Sequence, residues 1–504
     1  RSMRVVGNIA SDSEVVATAS GAITAGKPVM VNSDGTVSEV KSANLPASAG
    51  SPVVFESATT QKMSVIFDSN SNKVVIAYQD GGNSNYSTAI VGTVSGTSIS
   101  FGSPTVFESA TSNFNISGTF DSNSNKVVIA YQDSGNSSYG TAIVGTVSGT
   151  SISFGSAAVF ESANINTVST TFDSNSNKVV IAYRDTANSN YSTAIVGTVS
   201  GTSISFGSAT VFESAVSNYK SAIFDSSSNK VVIAYQDVGN SSYGTAIVGT
   251  VSGTSISFGS AVVFESASST YISATFDSSN NKAVIAYSDG GNSSYGTAII
   301  GTVSGTSISF GTPVVFESAS ADTTSTTFDS NTNKVNIAYR DIDNSYYGTT
   351  IVGTVSGTSI SFGSPIVFES ALSNSMSSTF DSNNNKVVVG YSDGGNSNYG
   401  TAFILTTENF VGFIGFAKDN VADGAVATIQ TANSIARDNI GEAPTLSAGS
   451  AAVYESATAS QTNIAFVPSA NKFVIVYQDE GNSSYGTAVV ATISGTSVTY
   501  GSPT

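Results

Sequence analysis

YQDSGNSSYGTAIVGTVSGTSISFG, residues 131–155, returns almost unchanged from Tyr183, Tyr235 and Tyr287. The Asp that follows this Tyr falls at positions 80, 133, 185, 237, 289, 341, 393 and 479, so the intervals are 53 residues, then 52 five times, then 86. The chain of 504 residues therefore carries eight copies of a unit of about 52 residues, with about 34 extra residues before the last copy. Such a period predicts a repeat architecture.

Each copy has the pattern of short β-strands joined by turns. In the third copy the predicted strands are TTFDS (170–174), KVVIAYRD (178–185), TAIVGTVS (193–200), SISFG (203–207) and TVFES (210–214). The nearly unbroken apolar run of KVVIAYRD indicates a strand buried on both faces, and Gly201-Thr202 is a hairpin turn signal. No segment combines a helix cap with a 3.6-residue period. We therefore predict an all-β fold, a β-propeller of four-stranded blades in which each blade covers its neighbour, with a linear β-solenoid as the alternative.

The number of blades depends on how the ends combine. Copies one to six finish in SGTSISFG, whereas copy seven continues after Tyr399 as GTAFILTTENFVGFIGFAKD and lacks that strand. The stretch SPVVFES (51–57) is a spare fourth strand, which could complete copy seven and close a ring of seven blades. If copy eight joins the ring, there are eight. We expect eight for the chain as it stands, because a single blade is not stable alone, with seven as the alternative.

Two stretches outside the repeats have their own strand-and-turn pattern. Residues 1–48 include GAITAGKPVMVNSDGTV, and residues 408–447 include NFVGFIGFAKDNVADGAVATIQ. We expect these stretches to pair as a small flanking β module. The predicted organisation is an N-terminal β segment (1–48), seven propeller repeats (49–407), an inserted β module (408–447) and the eighth propeller repeat (448–504).

One flanking segment, TTENFVGFIGFAKDNVADGAVATIQ (406–430), resembles a segment that follows repeats in tail-fibre and other virion surface proteins of marine bacteriophages. GAITAGKPVMVNSDGTV and the repeat FDS…NKVVIAY…GTAIVGTVSGTSISFG are similar to elements of the same proteins, and also to uncharacterised bacterial surface repeat proteins. The resemblance implies a recognition role on a virion or outside the cell. It implies no catalytic residues.

Composition excludes several classes of function. The chain has 18 Lys and Arg against 35 Asp and Glu, a net charge of −17, so nucleic acids and anionic membrane surfaces are disfavoured partners. No apolar run approaches the ~20 residues of a membrane-spanning helix. Cys and His are absent, which excludes disulfides, the usual zinc sites and the Ser-His-Asp and Cys-His catalytic groups.

The residues that recur in most copies favour a structural explanation. The motifs Phe-Glu-Ser and Phe-Asp-Ser and one Lys return at fixed positions, and we expect this Glu and Lys to pair with each other or to bond turn amides. Arg184 and Arg340 replace the Gln or Ser before the repeated Asp, but they lie three copies apart. No catalytic cluster emerges, and we predict that the protein is not an enzyme.

The loop D-x-G-N-S-x-Y-G-T, for example residues 133–141, carries Asp and Asn oxygens beside a Gly. Such oxygens are calcium ligands, but the loop has one reliable carboxylate, and the same side chains also bond local turn amides. We predict no cofactor, with calcium as the alternative.

The segment between FESA and FDS is the part that varies between copies. Its versions are TTQKMSVI, TSNFNISGT, NINTVSTT, VSNYKSAI, SSTYISAT, SADTTSTT and LSNSMSST. A constant frame that presents a changing segment favours recognition, with neutral variation in tolerant loops as the alternative. We expect this variable segment on the same face as the D-x-G-N-S loop, with exposed aromatic and cationic side chains suited to sugar rings and hydroxyls. The candidate ligand-binding residues are Lys62, Phe114, Tyr219, Lys220 and Tyr271.

Together these observations predict a non-enzymatic virion or extracellular surface protein. It would attach through one propeller face to a glycan or protein on a cell surface, as a homo-oligomer or filament, without nucleic acid and without membrane insertion. The first alternative is a structural filament or decoration protein whose loops contact sister subunits. The second is a glycosidase, which requires two carboxylates from unlike positions about 5–10 Å apart in a cleft.

Overall fold

A computed structural model describes residues 14–25, 27–31, 36–39, 47–111, 116–407, 413–418, 420–422, 425–431, 459–467, 472–479, 483, 485–494 and 497–500. The described residues form β-strands and three short 3-10 turns, Ser134–Asn136, Val238–Asn240 and Gly394–Asn396. None of the helical turns among them has the length or the apolar character that crossing a membrane requires. The chain divides into two compact units, Lys41–Val411 and the combination of Arg1–Val40 with Gly412–Thr504.

Four kinds of strand recur in the unit Lys41–Val411. Long strands are β5 (Val53–Asp68), β14 (Ala158–Asp173), β18 (Thr210–Asp225), β22 (Val262–Asp277), β26 (Val314–Asp329) and β30 (Ile366–Asp381), and the second copy has β9 (Thr105–Thr111) and β10 (Ser117–Asp121) in the same place. Second strands are β6 (Lys73–Asp80), β11 (Lys126–Asp133), β15 (Lys178–Asp185), β19 (Lys230–Asp237), β23 (Lys282–Asp289), β27 (Lys334–Asp341) and β31 (Lys386–Asp393). Third strands are β7 (Tyr86–Ser95), β12 (Tyr139–Ser148), β16 (Tyr191–Ser200), β20 (Tyr243–Ser252), β24 (Tyr295–Ser304), β28 (Tyr347–Ser356) and β32 (Tyr399–Thr406). Short strands are β4 (Ser48–Ala49), β8 (Ser98–Phe101), β13 (Ser151–Phe154), β17 (Ser203–Phe206), β21 (Ser255–Phe258), β25 (Ser307–Phe310) and β29 (Ser359–Phe362).

These strands pair antiparallel in one repeated order. The second half of a long strand pairs with the second strand, and the second strand pairs with the third. The third strand then pairs with the short strand at one end and with the first half of the next long strand at the other. This order runs from β10 to β32 and continues through β4 and β5 to β9, so that β32 pairs with the N-terminal β5.

The long strand differs from the sequence-based expectation. FES, the variable segment and FDS were expected as two strands joined by a loop, but each described long strand except the second runs through all three parts. In β14 the register shifts between Asn166 and Ser169, which marks a β-bulge. Because a bulge bends and twists the strand, one continuous strand can leave one sheet and enter the next. The variable segment is therefore held by hydrogen bonds on a rigid element.

The apolar second strands form the core. In β15, Val179, Val180, Ile181 and Ala182 are fully buried, which confirms the expectation of a strand covered on both faces. One core cluster joins side chains of β11 and β12 to those of β15 and β16, and similar clusters join the other neighbouring sheets. Successive sheets thus cover each other, and each buried Val or Ile contributes about 1.5–3 kcal/mol.

The repeated Glu has a different partner from the one expected. It accepts a hydrogen bond from the buried Tyr hydroxyl of the second strand in all seven copies of this unit, at 3.0 Å from Tyr183 to Glu161 for example. Its expected pairing with the repeated Lys is not found, because among the described residues the one salt bridge joins Arg340 to Asp322. The Glu position therefore satisfies a core hydroxyl, which would otherwise be buried without a partner.

The burial of these glutamates predicts the pH dependence of stability. Burial raises the pKa of Glu161 above its ordinary value, opposed by the Tyr183 hydrogen bond and reinforced by the nearby Asp185 carboxylate, and the other six glutamates are shifted in the same direction. An acid whose pKa is higher in the folded than in the unfolded state takes up protons on folding. The free energy of unfolding therefore increases as pH falls through the raised pKa of the folded state. We expect the melting temperature to increase by a few degrees from pH 7.5 to pH 5.5.

Replacing Glu161, Glu213 and Glu265 with Gln should flatten this pH dependence, as followed by circular dichroism. The triple variant separates the effect of these glutamates from that of the net charge of −17, which is also reduced by protonation. An equal pH dependence in the variant and the wild type would contradict the assignment to these glutamates.

The remaining described strands form two further sheets. One has five strands in the order β1 (Glu14–Thr18), β34 (Val426–Thr431), β33 (Phe413–Ala417), β2 (Pro28–Val31) and β3 (Val37–Glu39), so the N-terminal segment pairs with the segment that follows copy seven. The other has the four strands of copy eight, β35 (Ala459–Val467), β36 (Lys472–Asp479), β37 (Tyr485–Ser494) and β38 (Ser497–Tyr500).

Candidate functional site

A series of serines connects the inner ends of the repeated sheets. They occupy one position in every copy of the unit Lys41–Val411: Ser64, Ser117, Ser169, Ser221, Ser273, Ser325 and Ser377. Six of these inner serines accept a hydrogen bond at 2.9–3.0 Å from a backbone N–H of the next inner strand. The Ser325 hydroxyl lies 2.9 Å from that of Ser378. The serines thus satisfy N–H groups at a sheet edge that would otherwise be unpaired.

The inner serines line a cavity of about 670 Å³. Residues of all seven variable segments converge on it, so segments separated by up to about 300 residues in the chain form one surface. The lining side chains are mainly Ser, Thr, Asn and Gln hydroxyls and amides, with two Tyr, two Lys and several aliphatic residues. A second cavity of about 620 Å³ follows further along the inner strands and is lined by the Phe of the FDS motif.

The bulge places one residue of the variable segment in a left-handed backbone conformation, and in five copies that residue lines the first cavity. In the six copies where it is described, that residue is not Gly, yet its φ lies between 41° and 52°: Lys62, Thr167, Tyr219, Tyr271, Thr323 and Ser375. A left-handed backbone is unfavourable for Thr and Tyr in particular, and such strain concentrates at functional sites. The backbone conformation is therefore common to the copies, while the side chain it displays changes.

Four of the five predicted binding residues lie together. Lys62, Tyr219, Lys220 and Tyr271 all line the first cavity, and Phe114 lies outside the described residues. The Tyr219 and Tyr271 rings are in contact, with centroids 5.0 Å apart and planes tilted by 46°. The expectation of fully exposed side chains is wrong: both tyrosines are half-buried, and Tyr219 packs against a core cluster.

Lys220 differs most from its expected surface position. It is 8% exposed, and its ammonium group donates to the Thr167 hydroxyl at 2.9 Å and to the Ser217 carbonyl at 2.7 Å. Burial, and next the neighbouring Arg184 charge, lower the pKa of Lys220 well below its ordinary value. The sequence pattern missed this because a Lys in a variable polar segment has no signal of burial.

Sequence reasoning also missed the inner serines, although a signal was present. Each of the seven variable segments contains Ser at the same place, two positions after the bulge residue. A constant residue inside a varying segment indicates a position set by the fold.

The repeated Asp loop has a structural explanation. The Asp133 carboxylate accepts from the Asn136 amide at 3.0 Å, and Asp289 accepts from Gly291 at 2.9 Å in the equivalent loop. Within the described ranges, no three acidic side chains come together as a metal site would require. These contacts are those of turns in which an Asp side chain bonds the backbone two or three residues on.

Comparisons with known proteins bear on the fold. No protein-family model matches the sequence, and no curated protein is similar to it. Among solved structures, BP39L lectin from Burkholderia pseudomallei is similar, with a TM-score of 0.52 and 11% identity over 70% of this chain and 98% of that chain. The fold is a β-propeller.

Two further β-propellers are similar at lower scores. SapL1 lectin in complex with alpha methyl fucoside has a TM-score of 0.40 at 12% identity, over 62% of this chain and 97% of that chain. A mutant of AofleA from Arthrobotrys oligospora has a TM-score of 0.41 at 9% identity, over 67% of this chain and 94% of that chain. The prediction of an all-β propeller built from repeated strand units is thus confirmed.

Proposed function

We propose that this propeller is a non-enzymatic recognition protein that binds a glycan in the first cavity. The observation that carries the proposal is the convergence of seven variable segments on one cavity of about 670 Å³ rich in hydroxyl and amide groups. Such groups bond sugar hydroxyls, and the paired rings of Tyr219 and Tyr271 offer apolar faces of the kind that sugar rings contact. The similar BP39L structure is that of a lectin, which agrees with this choice of ligand.

We further propose a closed ring of seven blades, the alternative to the expected eight. The pairing of β32 with β5 supports it, since the N-terminal strand then completes the seventh sheet. The Ser377 hydroxyl accepts from Val65, which links the seventh inner strand to the first. Copy eight forms a sheet of its own and has Asn463 and Val467 where the other copies have the inner serine and the turn Asp.

The absence of enzyme activity belongs to the same proposal. A glycosidase needs two carboxylates beside the scissile bond. No Asp or Glu is among the described residues that line the first cavity. Most repeated carboxylates instead accept bonds from turn amides or from a buried Tyr hydroxyl, as Asp133 and Glu161 do.

A glycan array tests the proposal with paired variants. Tyr219→Thr and Tyr271→Thr place at the bulge the residue that copies three and six already have there, Thr167 and Thr323, so the left-handed backbone is retained. We expect each variant to weaken binding of array glycans about tenfold, through loss of the aromatic face.

Tyr346→Ser is the matched control. Tyr346 is a 47% exposed Tyr outside the cavity lining, and Ser occupies its position in several other copies. This variant should bind as the wild type does. Absence of any glycan binding by the wild type, or equal binding by all variants, would overturn the proposed site.

The virion or extracellular location remains a proposal that rests on the resemblance to bacteriophage surface proteins. The structural alternative, a filament or decoration protein, has one observation in its favour. A Val at one position of every long strand is 40–47% exposed: Val54, Val106, Val159, Val211, Val263, Val315 and Val367. This alternative predicts concentration-dependent assembly by sedimentation together with no glycan binding, whereas the recognition function requires binding.

A further inference from the structure

Lys220 occupies a position that is apolar in most of the other copies. In five other copies the equivalent residue is buried and aliphatic or Met: Met63, Ile116, Val168, Ile272 and Met376. A buried ammonium group costs several kcal/mol unless an anion compensates it. Its two described acceptors, on Thr167 and Ser217, are neutral and leave one of its three N–H groups unused.

Arg184 lies beside Lys220, and no acidic side chain of the described ranges forms a salt bridge with it. Its Nη1 donates to the Asn218 side-chain oxygen at 2.8 Å. With the Asn166 amide oriented to satisfy its neighbours, Nη2 donates to the Asn166 oxygen at 2.7 Å. Its Nε is buried and has no hydrogen-bond partner within the described part of the chain. The carboxylate of the next residue in the chain, Asp185, is already bonded to the amides of its own turn.

Another copy of the repeat shows the same Arg in different surroundings. Copy six has Arg340 in the position of Arg184, and there Asp322 occupies the position of Asn166. Arg340 donates from Nε and Nη2 to the Asp322 carboxylate, at 2.6 Å each, and from Nη1 to Asn374. At the position equivalent to Lys220, the copy that follows Arg340 has Met376. One location thus pairs its Arg with a carboxylate from within the chain, whereas at the other neither Arg184 nor Lys220 is bonded to a carboxylate of the described residues.

We propose that Arg184 and Lys220 form an anion subsite of the first cavity, which takes a carboxylate or sulfate group of an acidic glycan. This inference rests on the proposed glycan-binding function and names the ligand class. Lys220 lines the cavity, and the neighbouring Arg184 has a buried Nε–H without a described hydrogen-bond partner. A planar guanidinium beside an ammonium is well suited to such groups. The net charge of −17 repels anions in general, so an acidic ligand must be held by a local site such as this one.

Two variants reproduce, around Arg184, the arrangement that surrounds Arg340. Asn166→Asp places beside Arg184 the carboxylate that Asp322 supplies to Arg340, and Lys220→Met restores the residue of copy seven. Thr270→Asp is the matched control, because it adds the same charge at the same position of copy five, where the facing residue is Ser288, and Thr270 does not line the first cavity. Lys220→Met should also melt at a higher temperature than the wild type, since it removes a buried charge.

Isothermal titration calorimetry with sodium sulfate, at constant ionic strength set with chloride, measures the subsite directly. We expect one sulfate per wild-type chain, at least tenfold weaker binding by Asn166→Asp and Lys220→Met, and less than a twofold change in Thr270→Asp. The double variant Asp322→Asn, Met376→Lys should bind a second sulfate, because Thr323 and Ser373 already stand where Thr167 and Ser217 accept from Lys220. Sulfate binding unaffected by Asn166→Asp and Lys220→Met would overturn the subsite.

Pairs of glycans that differ only in their acidic group test which ligand the subsite binds. Oligogalacturonides are compared with their methyl esters, and galactose 6-sulfate with galactose, on wild type and Asn166→Asp. We expect the wild type to prefer the acidic member of at least one pair, and the variant to lose that preference; the pair concerned identifies carboxylate or sulfate. Binding of neutral glycans with no preference in the wild type overturns this inference and leaves the proposed function standing. Sulfate binding without any glycan binding overturns the proposed function and with it the glycan assignment of the subsite.

Discussion

Alanine in place of Gly207 is expected to lower the free energy of unfolding by about 3 kcal/mol, whereas alanine in place of Gly363 should change it by less than about 0.5 kcal/mol. The two glycines occupy the same position in copies three and six, directly after the short strand. Their surroundings differ. A Cβ at Gly207 would lie well inside contact distance of the Thr254 carbonyl oxygen in the hairpin of the next sheet, whereas the nearest atom at Gly363 is 3.7 Å away.

The neighbouring hairpin has little room to move away from a side chain at Gly207. Gly253, the residue before Thr254, has a φ of +61° in a two-residue turn, so the backbone there is tightly constrained. The clash must therefore be relieved by separating two sheets that share a core cluster. Copy seven lacks the SGTS hairpin, which is why Gly363 is open. Urea denaturation monitored by circular dichroism measures both variants, and losses of equal size would show that sheet contact does not decide the result.

The triple variant Ser169→Ala, Ser221→Ala, Ser273→Ala is expected to lose about 3–6 kcal/mol of stability, because each change removes the acceptor of one backbone N–H. The bonds concerned run from Ala222, Ala274 and Thr326 of the following inner strands. None of the described strands pairs with that edge, so the N–H groups would have only cavity water as a partner.

The matched control replaces serines of the same number on the exposed side of the short strands. Ser205, Ser257 and Ser309 point to solvent in hairpins of the same three repeats, and their change to Ala should leave the unfolding transition nearly unchanged. If both triple variants unfold at the same urea concentration as the wild type, the inner serines do not hold neighbouring inner strands together.

Much of the repeat could be predicted from residue patterns. KVVIAYRD is continuous in apolar residues because both its faces are covered, and Gly201-Thr202 produces the hairpin that the two flanking strands imply. The prediction failed at the variable segment, where Ser, Thr and Asn suggested a loop. Those residues lie in a long strand because each half of it has a different partner strand, and a bulge joins the two registers. Pairing with two sheets is a tertiary property that a local pattern does not contain.

The sequence grouped candidate binding residues that the structure brings to one cavity, but it did not predict their burial. The aromatic and cationic residues Lys62, Tyr219, Lys220 and Tyr271 were selected because they vary within a constant frame, and they do line one cavity. Their burial could not be predicted, since it depends on how neighbouring segments approach. The same is true of Arg184, for which the sequence shows only that Arg replaces the Gln or Ser of other copies.

By itself the sequence determined the period, the all-β class and which residues are free to vary, because the spacing of apolar residues and turns follows directly from strand geometry. Only the tertiary structure decided which residues meet. Arg184 and Arg340 occupy the same position of the repeat, yet Arg184 faces Asn166 and Arg340 faces Asp322. Only Arg184 has a buried Lys beside it. Charge compensation depends on distance in space, and folding sets that distance by bringing together segments about 50 residues apart.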